Sequence, residues 1–541
     1  MRTLAVVMST ITLTASNVPT DRANLRSVLW LCAIFAALKL AIHIVGNILA
    51  QRAGYGIFRD ELYYLVCGRH LAFGYVDQPP MVALQARVSE ILFGHDRMWT
   101  LRLIAGLAGA VKVFLTGLLV WALGGGRRAA ALAMLGVLVA GVFLGIDSFL
   151  SMNSFEPVFW LTCVLALARI AQAQDEKVVR AWWIVLGVSA GLGLENKISE
   201  LFFLIAVLVA LLLTPQRRIL KSRWFGVAVL LIAVIALPHL LWQVRYHFPT
   251  LEWLVDVKKS GKDIVLPPLK FFLAQIFMLT PWTIFLWLSG FVWLLLSKAA
   301  RPFRFLGVTY LLFLPLMMKL HAKDYYLAPI YPMLFAAGAV AWLSWAKNTA
   351  WRLGLVSAYA LLLIVGFVLT VPFSIPVLSP QPFLAWAKTM HFKATDSEVH
   401  DATPLPQFFA DRFGWHETVE KVARIYNALP PEQQAVTGIY TGNYGEASAI
   451  NILGEHYGLP TAISGHQNYW LWGPHGYTGE EMIILYGGAK ASDLKPYYAS
   501  CTEEDKMDHP YAMPWEHGGI FLCHGRKATY AADWKDFKNY H

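Results

Sequence analysis

Charge is what this chain lacks. Asp, Glu, Lys and Arg make up 15% of its 541 residues, where soluble proteins carry roughly 25%. That shortage excludes an ordinary soluble globular protein. Cysteine is scarce too, with five residues and no zinc-type spacing among them. No RNA- or DNA-binding motif accompanies the formal net charge of +10, so the location of the charge matters more than its sum. Internal repeats are not evident, and the polar groups read as sitting at the ends of the apolar runs. A transporter would be expected to show repeats and mid-membrane ionisable groups.

What is present is apolar and aromatic. Apolar residues reach 57% and aromatics 14%, with 21 Trp, a composition that suits long interfacial belts. Runs long enough to span a bilayer, or nearly so, read as 27–50, 101–123, 129–147, 154–172, 181–195, 199–214, 224–244, 270–297, 303–319, 325–346 and 352–373. A span needs ~20 apolar residues, so 181–195 and 199–214 are the shortest of the eleven. The polar Glu195-Asn196-Lys197 between them reads equally as a break in a re-entrant pair.

Loop charge gives an orientation. Alternate loops carry Arg127, Arg128, Lys177, Arg180, Arg217, Arg218, Lys221, Arg223, Lys298, Arg301, Arg304, Lys347 and Arg352, opposed only by Asp175 and Glu176. By the positive-inside rule these loops are expected on the cytoplasmic side, and Arg22 and Arg26 place the N-terminal segment there as well. An odd number of spans then exports the C-terminal region. The first twenty residues read as a disordered leader rather than a cleaved signal peptide, which would contradict the loop charges.

The expected domains are a membrane region over 1–379 and a soluble α/β domain over 380–541, where Asp, Glu, His, Gly and Pro rise. In the latter, 436–442, 481–487 and 519–525 read as strands, and 446–458 as a helix ending at Gly458. Cys501 and Cys523 are the only cysteines in this domain. In an oxidising compartment they are a plausible disulfide, with two buried thiols as the alternative.

The outward loops collect the polar chemistry. The first holds Asp60, Glu61, Tyr64, Arg69 and Asp77; the second Asp147, Asn153 and Glu156; the third Glu195 and Lys197; the fourth Arg245 and Lys258; the fifth Lys319, His321, Lys323, Asp324 and Tyr325. Carboxylates come mainly from the first two loops and cations from the later three, which suggests a pocket at the outer leaflet. A carboxylate there can deprotonate an attacking hydroxyl. Ammonium and guanidinium groups can hold a phosphate leaving group. Outside the cell there is no ATP, so a transferase needs an activated, lipid-borne donor, and a sugar on a polyprenyl phosphate meets that need. Plainer readings stand beside these: Asp60 and Glu61 as acids in a helix's first turn, Asp77 as a turn residue, Lys197 as a cation snorkelling to headgroups.

The chain resembles the bacterial polytopic glycosyltransferases of the GT-C superfamily, within glycosyltransferase family 39, relatives of protein mannosyltransferases, aminoarabinose transferases and rhizobial galacturonosyltransferases. The resemblance rests on Arg59-Asp60-Glu61-Leu62-Tyr63-Tyr64, Gly74-Tyr75-Val76-Asp77-Gln78-Pro79-Pro80, Leu150-Ser151-Met152-Asn153-Ser154-Phe155-Glu156-Pro157, Gly193-Leu194-Glu195-Asn196-Lys197 and Lys323-Asp324-Tyr325-Tyr326-Leu327-Ala328-Pro329. It implies a GT-C type α-helical polytopic membrane protein that moves a sugar from a polyprenyl-phosphate donor, with inversion, to an envelope acceptor at the periplasmic face of a bacterial inner membrane. It also implies that no cofactor is required, while metal dependence stays open. The family's first-loop acid falls on Asp60, with Glu61 beside it, and its second acid on Glu156. Lys197 and Lys323, helped by Arg69, His321 and Tyr325, are the expected phosphate ligands, and Tyr64 and Asp77 complete the expected substrate set. Gln78 stands where aminoarabinose transferases carry Lys, which argues against that sugar. The alternatives are a flippase for lipid-linked sugars and a non-catalytic polytopic scaffold.

Overall fold

A computed structural model describes residues 19–95, 97–261, 263–347, 349–391, 398–399 and 403–541. Residues 1–18 of the expected leader, and Lys262 of the fourth loop, lie outside the described residues.

Among the described residues, seven helices are long and apolar enough to cross a membrane: Leu25–Arg52, Leu103–Ala122, Met152–Gln172, Glu176–Asn196, Arg223–Arg245, Asp324–Ala346 and Ala350–Ser374. Two further pairs pass the same test as bent units, Ser199–Leu213 with Pro215–Lys221 (111°) and Pro268–Met278 with Pro281–Leu296 (101°). Both bends fall at a proline, which lacks the N–H needed to continue the helical ladder. The other two apolar runs form shorter helices. One breaks at extended Ala140 into Arg127–Val139 and Gly141–Ile146. The other is Arg304–Lys319, at 16 residues.

The chain divides into two compact units. The first comprises Met1–Asn47, Arg102–Leu241 and Val265–Ile375. Within it, helix Met152–Gln172 lies between Leu103–Ala122 and Glu176–Asn196, and Trp160 stacks on Phe203 with ring centroids 4.0 Å apart. Helices Ile284–Leu296 and Tyr331–Ala346 approach closely at Gly290 and Gly338. A Cβ on Gly290 would collide with the Leu334 carbonyl, and one on Gly338 with the Leu286 carbonyl. Small residues that let backbones meet are the usual device of helix packing in lipid, where no hydrophobic force draws helices together.

The second unit comprises Ile48–Leu101, Trp242–Ile264 and Pro376–His541. The C-terminal region thus shares its unit with the loop that follows the first span. The reason lies in helix Arg59–Arg69, which buries Leu62, Tyr63, Leu65, Val66 and Cys67 against helices Met81–Phe93 and Tyr444–Leu453. The unit's sheet has five strands, β1 (Thr437–Thr441), β2 (Ala462–Ser464), β3 (Glu481–Gly487), β4 (Tyr498–Met507) and β5 (Gly518–Arg526), in the order β2-β1-β3-β5-β4. β1 runs parallel to β2 and β3, while β5 is antiparallel to both β3 and β4. Cys501 faces Cys523 across the β4–β5 register, and the two form a disulfide with Cα atoms 4.1 Å apart. The expected helix over 446–458 is Tyr444–Leu453 followed by a 3-10 turn, and Gly458 adopts a left-handed conformation at φ 69°.

Candidate functional site

In the second unit, the first-loop residues are organised by one helix. Phe58 caps helix Arg59–Arg69, and the Glu61 side chain accepts the Phe58 N–H at 2.9 Å. Glu61 is fully buried in this role, so the structure makes it the helix's cap and not a group facing substrate. Asp60 is placed differently. Its side chain stays 32% exposed, and one oxygen, Oδ1, accepts a hydrogen bond from the Tyr444 hydroxyl at 2.7 Å. Burial pushes the Tyr444 phenol well above its ordinary range, with nearby Arg59 opposing and Asp60 adding to the shift. Tyr444 therefore stays protonated and donates.

Arg59 lies beneath this pair. Its guanidinium is 3.7 Å from Asp60, 3.7 Å from Asp411 and 4.0 Å from Glu398, and it lies over the rings of Tyr444 and Trp515. Burial works against its charge, but these acids more than compensate and hold it charged. Deeper in the unit are two carboxyls whose titration is displaced upward. Burial pushes Glu516 up to about 8 against the pull of Arg59. Burial, with Glu516 nearby, also pushes Glu446 well above the carboxylate range.

Three other first-loop expectations meet partners. Asp77 accepts from the Tyr63 hydroxyl at 3.1 Å, and Tyr63 in turn accepts the Asn468 N–H at 3.3 Å. Tyr64 is buried. Arg69 corrects its expectation as a phosphate ligand: it is bonded to Glu90 at 2.6 Å and to Glu455 at 2.6 Å, so two carboxylates already satisfy its fork.

In the first unit, Glu156 and Lys197 are brought together. Ser151 caps helix Met152–Gln172 by accepting the Asn153 N–H, and Glu156 follows just past the first turn, immediately before Pro157. Pro157 lies inside the helix, where it removes one helical hydrogen bond. Lys197 ends helix Glu176–Asn196 in an extended conformation. Its ammonium donates to Asn153 at 2.8 Å and to Glu156 at 3.0 Å, and lies 4.1 Å from the Tyr326 ring centroid and 5.7 Å from that of Tyr325. The other Glu156 oxygen takes the Ser199 hydroxyl, and the Lys112 ammonium acts on Glu156 from a longer distance. Lys323 is half-buried at the head of the turn that carries both tyrosines. His321 is exposed, with φ 55°. The sequence assigned Glu156 and Lys197 to different tasks, whereas the structure pairs them.

A third cluster contradicts the reading that polar groups sit only at span ends. Asp147 is fully buried and bonded to Lys112 at 2.8 Å and to Lys39 at 3.1 Å. Lys39 also donates to the Phe143 carbonyl at 2.9 Å, and His43 lies 4.0 Å from Asp147. Lys39, His43 and Lys112 each lie within an apolar helix, and each is visible as an isolated charge in its run. Tyr444 had no such signal, because a tyrosine in a soluble domain carries no mark of its partner.

Comparison with known proteins bears on these sites. Residues 77–242 match the family model described as dolichyl-phosphate-mannose-protein mannosyltransferase. The chain is 30% identical over 205 residues, 37% of its length, to the lipid A galacturonosyltransferase RgtD of Rhizobium johnstonii. It is 28% identical over 269 residues, 47% of its length, to undecaprenyl phosphate-alpha-4-amino-4-deoxy-L-arabinose arabinosyl transferase 1 of Pseudomonas fluorescens. These matches span 41% and 46% of the two relatives' own lengths, less than half of each. Its fold matches that of ArnT from Cupriavidus metallidurans, with a TM-score of 0.57 at 16% identity over 91% of this chain and 97% of that one. Over residues 77–242 the chain is similar to that mannosyltransferase family, and its fold is similar to that of ArnT. The family-model match begins at Asp77 and takes in Glu156 and Lys197. Asp60 and Tyr444 fall outside it.

Proposed function

We propose that this protein is a glycosyltransferase that moves a sugar from a polyprenyl-phosphate donor to an envelope acceptor at the periplasmic face of a bacterial inner membrane. The observation that carries the reading is Asp60. It is a carboxylate on a rigid helix, one-third exposed, with one oxygen held by a neutral phenol. A base must be reachable and oriented, and Asp60 is both. The curated relatives support the rest, since one is named for lipid A and the other for an undecaprenyl-phosphate sugar. The similarly folded ArnT has been solved bound to undecaprenyl phosphate.

In this reading Asp60 takes the proton of the attacking acceptor hydroxyl as its oxygen bonds to the sugar's anomeric carbon. The bond from that carbon to the phosphate oxygen breaks, and the lipid phosphate leaves with the electron pair. Holding the lipid phosphate is the role proposed for Lys197 and Lys323, with Tyr325 and His321 as helpers. Glu156 serves as counter-ion to Lys197 until the donor arrives. The region from residue 380 onward is exported in this reading, which the thirteen-to-two charge bias of the alternate loops supports.

The test is transfer by purified protein in nanodiscs, supplied with polyprenyl-phosphate sugars, with mass spectrometry of envelope glycolipids from cells with and without the gene to name the acceptor. Asp60→Asn should lower turnover by about 10²–10⁴-fold, the usual contribution of a general base, with the fold intact. Normal turnover by Asp60→Asn would remove Asp60 as the base. A C-terminal domain that periplasmic labelling reagents cannot reach would remove the topology.

A further inference from the structure

The C-terminal region does more than accompany the membrane part. We propose that Tyr444 is a positioning residue for the transfer reaction, holding the Asp60 carboxylate in its reactive orientation through its hydroxyl. This rests on the reading of Asp60 as the base.

The geometry fixes that hydroxyl from several directions. Tyr444 is the first residue of helix Tyr444–Leu453, whose start is locked by a reciprocal cap. The Asn443 side chain accepts the N–H groups of Gly445 at 2.8 Å and Glu446 at 3.0 Å, and the Glu446 carboxyl accepts those of Gly442 at 3.0 Å and Asn443 at 3.3 Å. The ring is held as well. The Arg59 guanidinium lies 5.4 Å from its centroid, the Tyr63 ring 4.8 Å away and the His466 ring 5.0 Å away. Arg59 comes this close only because residue 445 is glycine, where a Cβ would stand 2.7 Å from Arg59 Cγ. A side chain anchored at its backbone and packed around its ring has one place to put its oxygen, and that place is 2.7 Å from Asp60 Oδ1.

The chemistry needs such an anchor. Asp60 is on the first turn of its helix and one-third exposed, with Arg59 at 3.7 Å as its other polar neighbour, too long for a hydrogen bond that would fix its rotamer, and catalytic groups lose rate steeply with small misplacements. A phenol that stays protonated also supplies a hydrogen bond without competing for the acceptor's proton. The bond occupies one carboxylate oxygen and leaves the other for the incoming hydroxyl.

Tyr444→Phe isolates the effect, because it keeps the ring contacts with Arg59, Tyr63 and His466 and removes only the hydroxyl. The expected result is a fall in kcat of about ten- to hundredfold, the range for a hydrogen bond to a charged group, with donor and acceptor KM within about twofold of the parent and an unchanged melting curve. In the Asp60→Asn background, Tyr444→Phe should cause no further loss in single-turnover rate, since the group it positions is gone. A merely structural tyrosine would move the melting curve and would act equally in both backgrounds. Unchanged kcat in Tyr444→Phe, or an equal loss in the presence and absence of the Asp60 carboxylate, overturns the inference. The two readings fail separately. Full activity in Asp60→Asn defeats the base itself, whereas an inactive Asp60→Asn beside a fully active Tyr444→Phe defeats only the positioning role.

Discussion

Removing Lys197 should destabilise the first unit more than the ion pair it makes is worth. Glu156 and Lys197 are 3.0 Å apart, with side chains 3% and 10% exposed. At an effective dielectric of about 20 their gross attraction is roughly 5–6 kcal/mol. Taking each ion out of water costs several kcal/mol, so the net worth of the pair is close to zero. The asymmetry appears when one partner is removed. Lys197→Met leaves the buried Glu156 carboxylate with the Ser199 hydroxyl and no cation in contact, only the more distant Lys112, and a buried charge stripped of its partner costs about 3–5 kcal/mol. Glu156→Gln should cost less, about 1–3 kcal/mol, because Lys197 keeps Asn153 and the Tyr326 ring face. The double variant should therefore be more stable than the sum of the singles predicts, by about 1–3 kcal/mol of coupling.

The assay is equilibrium unfolding in one fixed detergent mixture for the four proteins of the cycle. Donor binding to the same four provides a second reading with a definite sign. If Glu156 competes with the lipid phosphate for Lys197, then Glu156→Gln should bind a polyprenyl-phosphate sugar at least as tightly as the parent, and Lys197→Met should bind it more weakly. Additive stability losses would refute the buried-pair argument. Donor binding weakened equally by both substitutions would refute the assignment of Glu156 as a counter-ion.

Two further outcomes follow from the second unit. A free carboxyl titrates near 4.5 and Glu516 in the fold near 8; between these values the folded state binds more protons than the unfolded chain, so stability falls as pH rises from about 4.5 to about 8. Glu516→Gln should flatten that slope, which is at most ~1.4 kcal/mol per pH unit for one proton, and pH-dependent melts showing an unchanged slope would contradict it. Cys501→Ser should cost about 2–4 kcal/mol and raise hydrogen exchange mainly along β4, the sheet-edge strand that the disulfide ties to β5; unaltered exchange there would show that the ladder alone holds the strand.

The polytopic helical class and the small C-terminal sheet were legible because they rest on long and short apolar runs. β1, β3 and β5 were legible for the same reason, since each is a short apolar run. β4 was not, because Tyr498–Met507 is an edge strand rich in Glu, Asp and Lys with most of its side chains in solvent. Charge on an edge strand discourages pairing with other chains, and the same charge hides the strand from any reading by hydropathy. β2 is three residues long, too short to show a period. Among the candidate residues, the sequence named Asp60, Glu156 and Lys197 but could not separate Asp60 from Glu61. Only the cap shows that one faces outward and the other holds the helix start.

The buried cluster around Asp147 exposes a different gap. Lys39 and Lys112 interrupt apolar runs by a single residue each, and hydropathy averaged over a span absorbs one lysine without trace. Energetically a lone ammonium inside such a helix is costly, so its presence already implied a partner. That partner is Asp147, read from the sequence as an outward-loop acid and found instead with no exposure, between two ammonium groups. Gly109 makes room for it, since a Cβ there would stand 2.7 Å from the Asp147 carboxylate. The composition of helix Leu103–Ala122 is thus shaped by a charge on another segment. A carboxylate in a loop between apolar runs is as readily the counter-ion of a lysine inside them as a group facing substrate. Counting the lysines within the runs before assigning the loop acids would have separated Asp147 from Asp60.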